Sequence, residues 1–228
     1  MQCRTTHSLC VPIILGLLTA TAGAQPVTWD GQIDSNWYNP INWDPNAFPA
    51  DDANRLVSFG SPVASTAVRA DYGGAITVTS AAGSATFEAQ LYIGDASTGT
   101  LDILDGAAVS SPRGYIATEA NAVGEVNVDG AGWDCSDWIE IGNRGVGTLR
   151  IEGGGEVTTG AANVGRWPGG KGTAAIDGEG SALSVTGNLH VGHSGEGNMS
   201  GGHGLAQQEL NSHRAGDSGG GRDLGRAP

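Results

Sequence analysis

Residues 91–152 read LYIGDASTGTLDILDGAAVSSPRGYIATEANAVGEVNVDGAGWDCSDWIEIGNRGVGTLRIE. Within this stretch the pattern Gly-x-apolar-x-apolar occurs three times, as GTLDI from Gly99, GEVNV from Gly124 and GTLRI from Gly147. It returns as GTAAI from Gly172 and, degraded, as GNMSG from Gly197, so successive steps are 25, 23, 25 and 25 residues. A second marker precedes each copy: LYIG ending at Gly94, YIA at Ala117, IEIG at Gly142, NVG at Gly165 and LHVG at Gly192. Two independent markers with one period near 24 define a repeat over residues 91–204, and periods of this size signal solenoids, propellers or arrays.

Each unit holds short alternating segments separated by Gly, Asp, Asn or Ser. Leu149 and Ile151 fall on one face and Arg150 on the other. Strands this short cannot bury an apolar face alone, so the units must stack and pile Leu, Ile and Val into columns. The repeat glycines Gly94, Gly99, Gly124, Gly142, Gly147, Gly165, Gly172, Gly192 and Gly197 are expected at sharp turns. Copies opened by Gly99 and Gly147 run into a Gly-rich turn, whereas those opened by Gly124 and Gly172 run into DGAGW and DGEGS, so the full unit is a pair of coils. These features predict an all-β fold, a right-handed parallel β-helix of about five coils of ~24 residues, about 25 Å long at the usual inter-strand spacing. A β-propeller, with blades of four longer strands, is the competing architecture.

The alternation of an "IG, GxLxI, GG, V" half with an "IG, GxVxVDGAG" half resembles the repeat of bacterial autotransporter (type V secretion) passengers and of PEP-CTERM-associated exported proteins. The likeness spans residues 91–200 and departs where Trp133 follows DGAG directly. It implies a β-helical stalk or surface module with no assigned catalytic residues.

Outside the repeat, residues 25–90 differ in composition. Trp29, Trp37 and Trp43, half of the six tryptophans, lie here with Pro40, Pro45 and Pro49. The segment resembles the tryptophan-rich stretch that precedes such repeats, and a solenoid needs its first coil covered against pairing with another chain. The expectation is a Trp-rich cap followed by first coils, with strands near Arg55–Ser58 and Ala75–Val78. The alternative is a carbohydrate platform of Trp29, Trp37, Trp43 and Asp44, with Asp44, Asp51 and Asp52 of a type that bonds hydroxyls or ligates Ca²⁺.

Residues 1–24 read as a secretory signal peptide: Arg4, the apolar run Val11 to Ala20, and Ala22-Gly23-Ala24 before Gln25. The mature chain would be secreted or held at the surface of a bacterial envelope, with no membrane span. It would keep only Cys135 of the three cysteines, too few for an internal disulfide.

Composition agrees. The 39 Gly among 228 residues have no strict three-residue period, which excludes a collagen-like chain, and a net charge of −13 with one lysine, Lys171, argues against a phosphate-backbone partner such as nucleic acid.

Catalytic chemistry on this scaffold would need converging carboxylates or a basic residue beside acidic metal ligands. Stacking should align Asp102, Asn127, Arg150 and Ala175 in one outward column with no acid pair. Asp129 and Asp177 should sit in matching turns two coils apart. No GxSxG, HExxH, phosphate loop or GGxGxD calcium repeat occurs, and no cofactor is expected. His190 and His193 flank a strand end, and Arg166, Trp167 and Pro168 form a turn open to contacts.

After the copy opened by Gly197 the apolar spacing vanishes, from Gly201 onward. A +1 frame with GC-rich codons turns residues 211–216 into TAIGRE and 217–226 into IRAAGEISVG, restoring both markers at the expected separation. Residues from about 201 onward are therefore expected to be a frameshift product on a truncated fragment of a longer repeat protein, with residues 205–228 a disordered tail and the last edge open to edge-to-edge self-association. The leading expectation is a non-enzymatic exported stalk or adhesion module that touches glycans or other cell-surface components. The alternative is a polysaccharide-binding or polysaccharide-degrading β-helix using the Trp-rich segment.

Overall fold

The computed structural model of the chain describes residues 84–202 continuously, together with 27–29, 43–44, 55–57, 63–64, 68–70, 74–79 and 205–208. Each coil contributes to three stacked strand columns. The first holds β1 (Val27–Trp29), β3 (Arg55–Val57), β6 (Gly74–Val78), β9 (Thr98–Leu104), β11 (Val123–Asp129), β13 (Val146–Glu152), β15 (Lys171–Ile176) and β18 (Glu196–Gly201), each parallel to the next. The second holds β4 (Val63–Ala64), β7 (Ser84–Phe87), the first halves of β10 (Ala108–Ile116), β12 (Gly132–Ile141) and β14 (Glu156–Val164), then β16 (Ala182–Val185) and β19 (Leu205–Gln208). The third holds β5 (Val68–Ala70), β8 (Leu91–Ile93), the second halves of β10, β12 and β14, and β17 (Leu189–Val191).

The chain is thus a β-solenoid. Its ladders are parallel and link one coil to the next, which is incompatible with the antiparallel blades of a propeller. The first column ends at β2 (Trp43–Asp44), the one antiparallel partner among the described strands, with the backbones of residues 29 and 43 in register.

Alternation places the core where the sequence pattern puts it. Ile76, Leu101, Val126, Leu149 and Ala174 form one buried row of the first column, and Val78, Ile103, Val128, Ile151 and Ile176 the next. Ile93, Ile116, Ile141 and Val164 do the same in the third. At the corner between second and third columns β12 carries one residue more than its neighbours, giving register shifts between Ser111 and Arg113 and between Cys135 and Trp138. A bulge here re-aims the strand without breaking the ladder.

The repeat glycines divide into two kinds, which corrects the expectation that all are turn residues. Gly94, Gly142, Gly165 and Gly192 do adopt the left-handed conformation, with φ between 66° and 72°. Gly99, Gly124, Gly147, Gly172 and Gly197 instead lie second in their strands and in register with one another. There glycine is needed for close approach: a methyl on Gly147 would fall onto the Gly142 nitrogen and within 2.9 Å of the Ile116 carbonyl oxygen. Gly147→Ala should therefore lower stability by about 1–3 kcal/mol, as overpacking does, although Ala suits strand dihedrals. Urea denaturation with an unchanged m value would check this.

The predicted boundaries fare differently at the two ends. Strands β3 and β6 lie where residues 25–90 were expected to enter the first coils. The strand β19, in register with β16, extends into the segment expected to be disordered. Residues 1–24 and 209–228 lie outside the described residues, as do the signal-peptide reading and the part of the frameshift reading attached to them.

Candidate functional site

The Trp-rich segment offers less to a ligand than its composition suggests. Trp43 is 0% exposed and belongs to the core cluster. A sugar cannot stack on a ring that has no exposed face, so Trp43, a platform candidate in the sequence, offers none. Its neighbour Asp44 is exposed. Trp37, Asp51, Asp52 and the side chain of Trp29 lie outside the described residues.

The outward row of the third column concentrates the aromatic and charged side chains. In register it runs Arg69, Tyr92, Tyr115, Glu140, Asn163, His190. Tyr92 and Tyr115 stack at 5.0 Å and 10°, and the Arg69 guanidinium covers Tyr92 at 4.8 Å. Tyr92 is thus sandwiched, and burial followed by the neighbouring Tyr115 raises its phenol above the ordinary value. Beside this row Arg113 covers the Trp138 ring at 3.9 Å and bonds Asp137. Glu140 breaks the aromatic run. Although it points outward in the strand pattern, it is wholly buried, accepts a hydrogen bond from the Asn143 amide and pairs with Arg166.

The cations follow one rule. Among the described residues Arg69 pairs with Asp95, Arg113 with Asp137, Arg144 with Glu119, Arg150 with Glu125, Arg166 with Glu140 and Lys171 with Glu196. Each partner lies 24–26 residues away, one coil along. Each of these six cations is therefore an inter-coil clamp. No family model, curated protein or solved structure matches this chain.

The expected column of Asp102, Asn127, Arg150 and Ala175 is present, with the Asn127 amide donating to Asp102 at 2.7 Å. It borders a shallow hollow of ≈ 310 Å³ that Asp129 and Glu152 also line. Asp177 accepts from the Gly178 N–H at 2.9 Å, the role expected of a turn aspartate. His190 and His193 meet edge to face at 5.4 Å. Among the described residues no three His, Cys, Asp or Glu side chains gather in a group able to hold a metal ion.

Cys135 lies inside the stack, its thiol directed at the Trp138 and Pro112 carbonyl oxygens at 3.1 and 3.5 Å. Burial pushes the thiol up to about 11 from 9.0. The thiolate, which is the reactive form, is thereby suppressed at neutral pH. A thiol reagent should label Cys135 only at the rate of unfolding. Because the unfolded thiol loses its proton first, this group favours the folded state below pH 9, and its contribution disappears between about 9 and 11. Stability measured against pH, with Cys135→Ala as control, would test the sign.

Proposed function

We propose that the protein is a non-enzymatic, exported structural module, a rigid acidic stalk or surface spacer built by stacking coils outside the cytoplasm. The observation that carries this reading is the commitment of six cations, Arg69, Arg113, Arg144, Arg150, Arg166 and Lys171, to ion pairs between successive coils. Catalytic surfaces bring titratable groups from several coils to one reacting centre. Here those groups serve the stack itself. The enclosure of Trp43 weakens the competing polysaccharide-active reading of the Trp-rich segment.

Export is tested by expressing the full chain in a bacterium, fractionating the cells and weighing the product. The expected result is an extracytoplasmic protein beginning at Gln25. A cytoplasmic product retaining Met1, or turnover of polysaccharide by the purified chain, would overturn the reading.

A further inference from the structure

The solenoid contains its own control for one exposed turn. Residues 117–122 (ATEANA) and 165–170 (GRWPGG) connect the third column to the first at positions 48 residues apart. Their backbones match bond for bond. Thr118 N–H donates to Gly94 O and Arg166 N–H to Gly142 O; Glu119 N–H donates to Asp95 O and Trp167 N–H to Asn143 O. Ala122 N–H closes on Glu119 O as Gly170 N–H closes on Trp167 O. Asn121 and Gly169 occupy the same left-handed position, at φ 72° and 85°. The turn therefore forms with Glu at the position that Trp167 holds, and nothing in the fold requires an indole there.

Yet Trp167 is 43% exposed, and the supports around it are elaborate. The Arg166 guanidinium lies over one face of the indole, 5.2 Å from its centroid. It is anchored by Glu140, buried in the row position where Tyr92 stands 48 residues earlier. Asn143, which bonds Glu140, replaces Asp95 of the earlier pair of coils. Burying a carboxylate on a guanidinium is an expensive way to hold a turn, and such pairs are best attested where they fix a geometry. The exposed Val123 and Val146 lie on the same corner, each opening the strand that follows a turn.

We infer that the Arg166–Trp167 turn is a binding site for a neutral pyranose polymer, with the indole face turned away from the guanidinium as stacking platform and Arg166 supplying hydrogen bonds at its rim. Size selects the ligand class: a single indole is far smaller than the about 800 Å² per partner of a stable protein interface, but it spans one sugar ring. Charge selects within the class. Arg166 is neutralised by Glu140 and the chain carries −13, which disfavours polyanions. The Arg166 side chain remains 38% exposed, leaving N–H groups for sugar hydroxyls. Ser194, whose N–H bonds the Arg166 carbonyl oxygen, and His193 beside it add polar groups one coil along.

The test is affinity electrophoresis of the mature chain through gels carrying a soluble β-glucan, xyloglucan, galactomannan or polygalacturonate. At least one neutral polymer should retard the protein. Trp167→Glu, which installs the residue accepted by the matching turn, should weaken that retardation at least tenfold without moving the thermal midpoint, and Trp167→Ala should do the same. Absence of retardation by all neutral polymers, retardation by polygalacturonate alone, or unchanged binding by a folded Trp167→Glu protein would overturn the assignment. None of these outcomes bears on the stalk reading, which rests on the coils and their export.

Discussion

Trp133→Ala should lower the unfolding free energy by about 3–5 kcal/mol, the range for deleting a large buried aromatic. The indole is buried between Val109 and Val157 of the adjoining coils, and its N–H donates to Ser111 at 3.0 Å. Its space is made by a glycine. A methyl on Gly114 would lie 2.5 and 2.6 Å from the indole Cη2 and Cζ2 atoms. Leu91 and Ile139 stand at the same place in the neighbouring coils. Removing the ring leaves a void under Gly114 and takes from the Ser111 hydroxyl the hydrogen bond it accepts from the indole. Combining Trp133→Ala with Gly114→Ala should recover part of the loss, because the added methyl then enters empty space. Denaturant titration of the single and double variants would measure it, and an equal loss in both would contradict the pairing.

The second large effect is expected at Arg166. Truncation to alanine strands the wholly buried Glu140 carboxylate with only the Asn143 amide, and breaking a buried pair in this way removes about 3–5 kcal/mol. The partners are not equivalent. Glu140→Leu leaves Arg166 partly in water, where it can be hydrated, so its effect should be smaller. Glu140→Leu with Arg166→Ala should be closer to wild type than Arg166→Ala alone, since no charge is then left buried. A double-mutant cycle by thermal or urea unfolding reads this coupling directly. Additive losses would mean that the pair is solvated.

The architecture was legible because both periodic signals come from backbone demands. Gly142 must adopt a left-handed conformation and Gly147 must let another strand's corner pass, so each marker recurs wherever the coil closes. The alternation Leu149, Arg150, Ile151 likewise reports the strand directly. Contacts between coils were less legible. Nothing in the local sequence pairs Trp133 with Gly114, because the contact joins different strands of adjacent coils at a bulged corner. Glu140 was hidden for a related reason. Its outward parity in β12 predicts exposure, and it is enclosed by Asn143 of the following turn together with Arg166 one coil away. The Trp-rich segment carried opposite readings in the same residues, and Trp43 was assigned by its burial. The sequence marks Arg166, Trp167 and Pro168 as an open turn, but only the stacked structure shows that residues 117–122 form the same turn without an indole.

That matching has a further consequence for how such a molecule can change length. The connections from third to first column alternate between four and six residues: 94–97, 117–122, 142–145, 165–170 and 192–195. Each short connection therefore rests on a long one. Excising a single coil would bring two connections of equal length together and misalign the carbonyl groups that receive the turn N–H donors. Excising the 48 residues from Gly99 through Val146 would join like to like. The heritable unit of growth and loss is thus a pair of coils, so natural size variants of this architecture should differ by whole pairs.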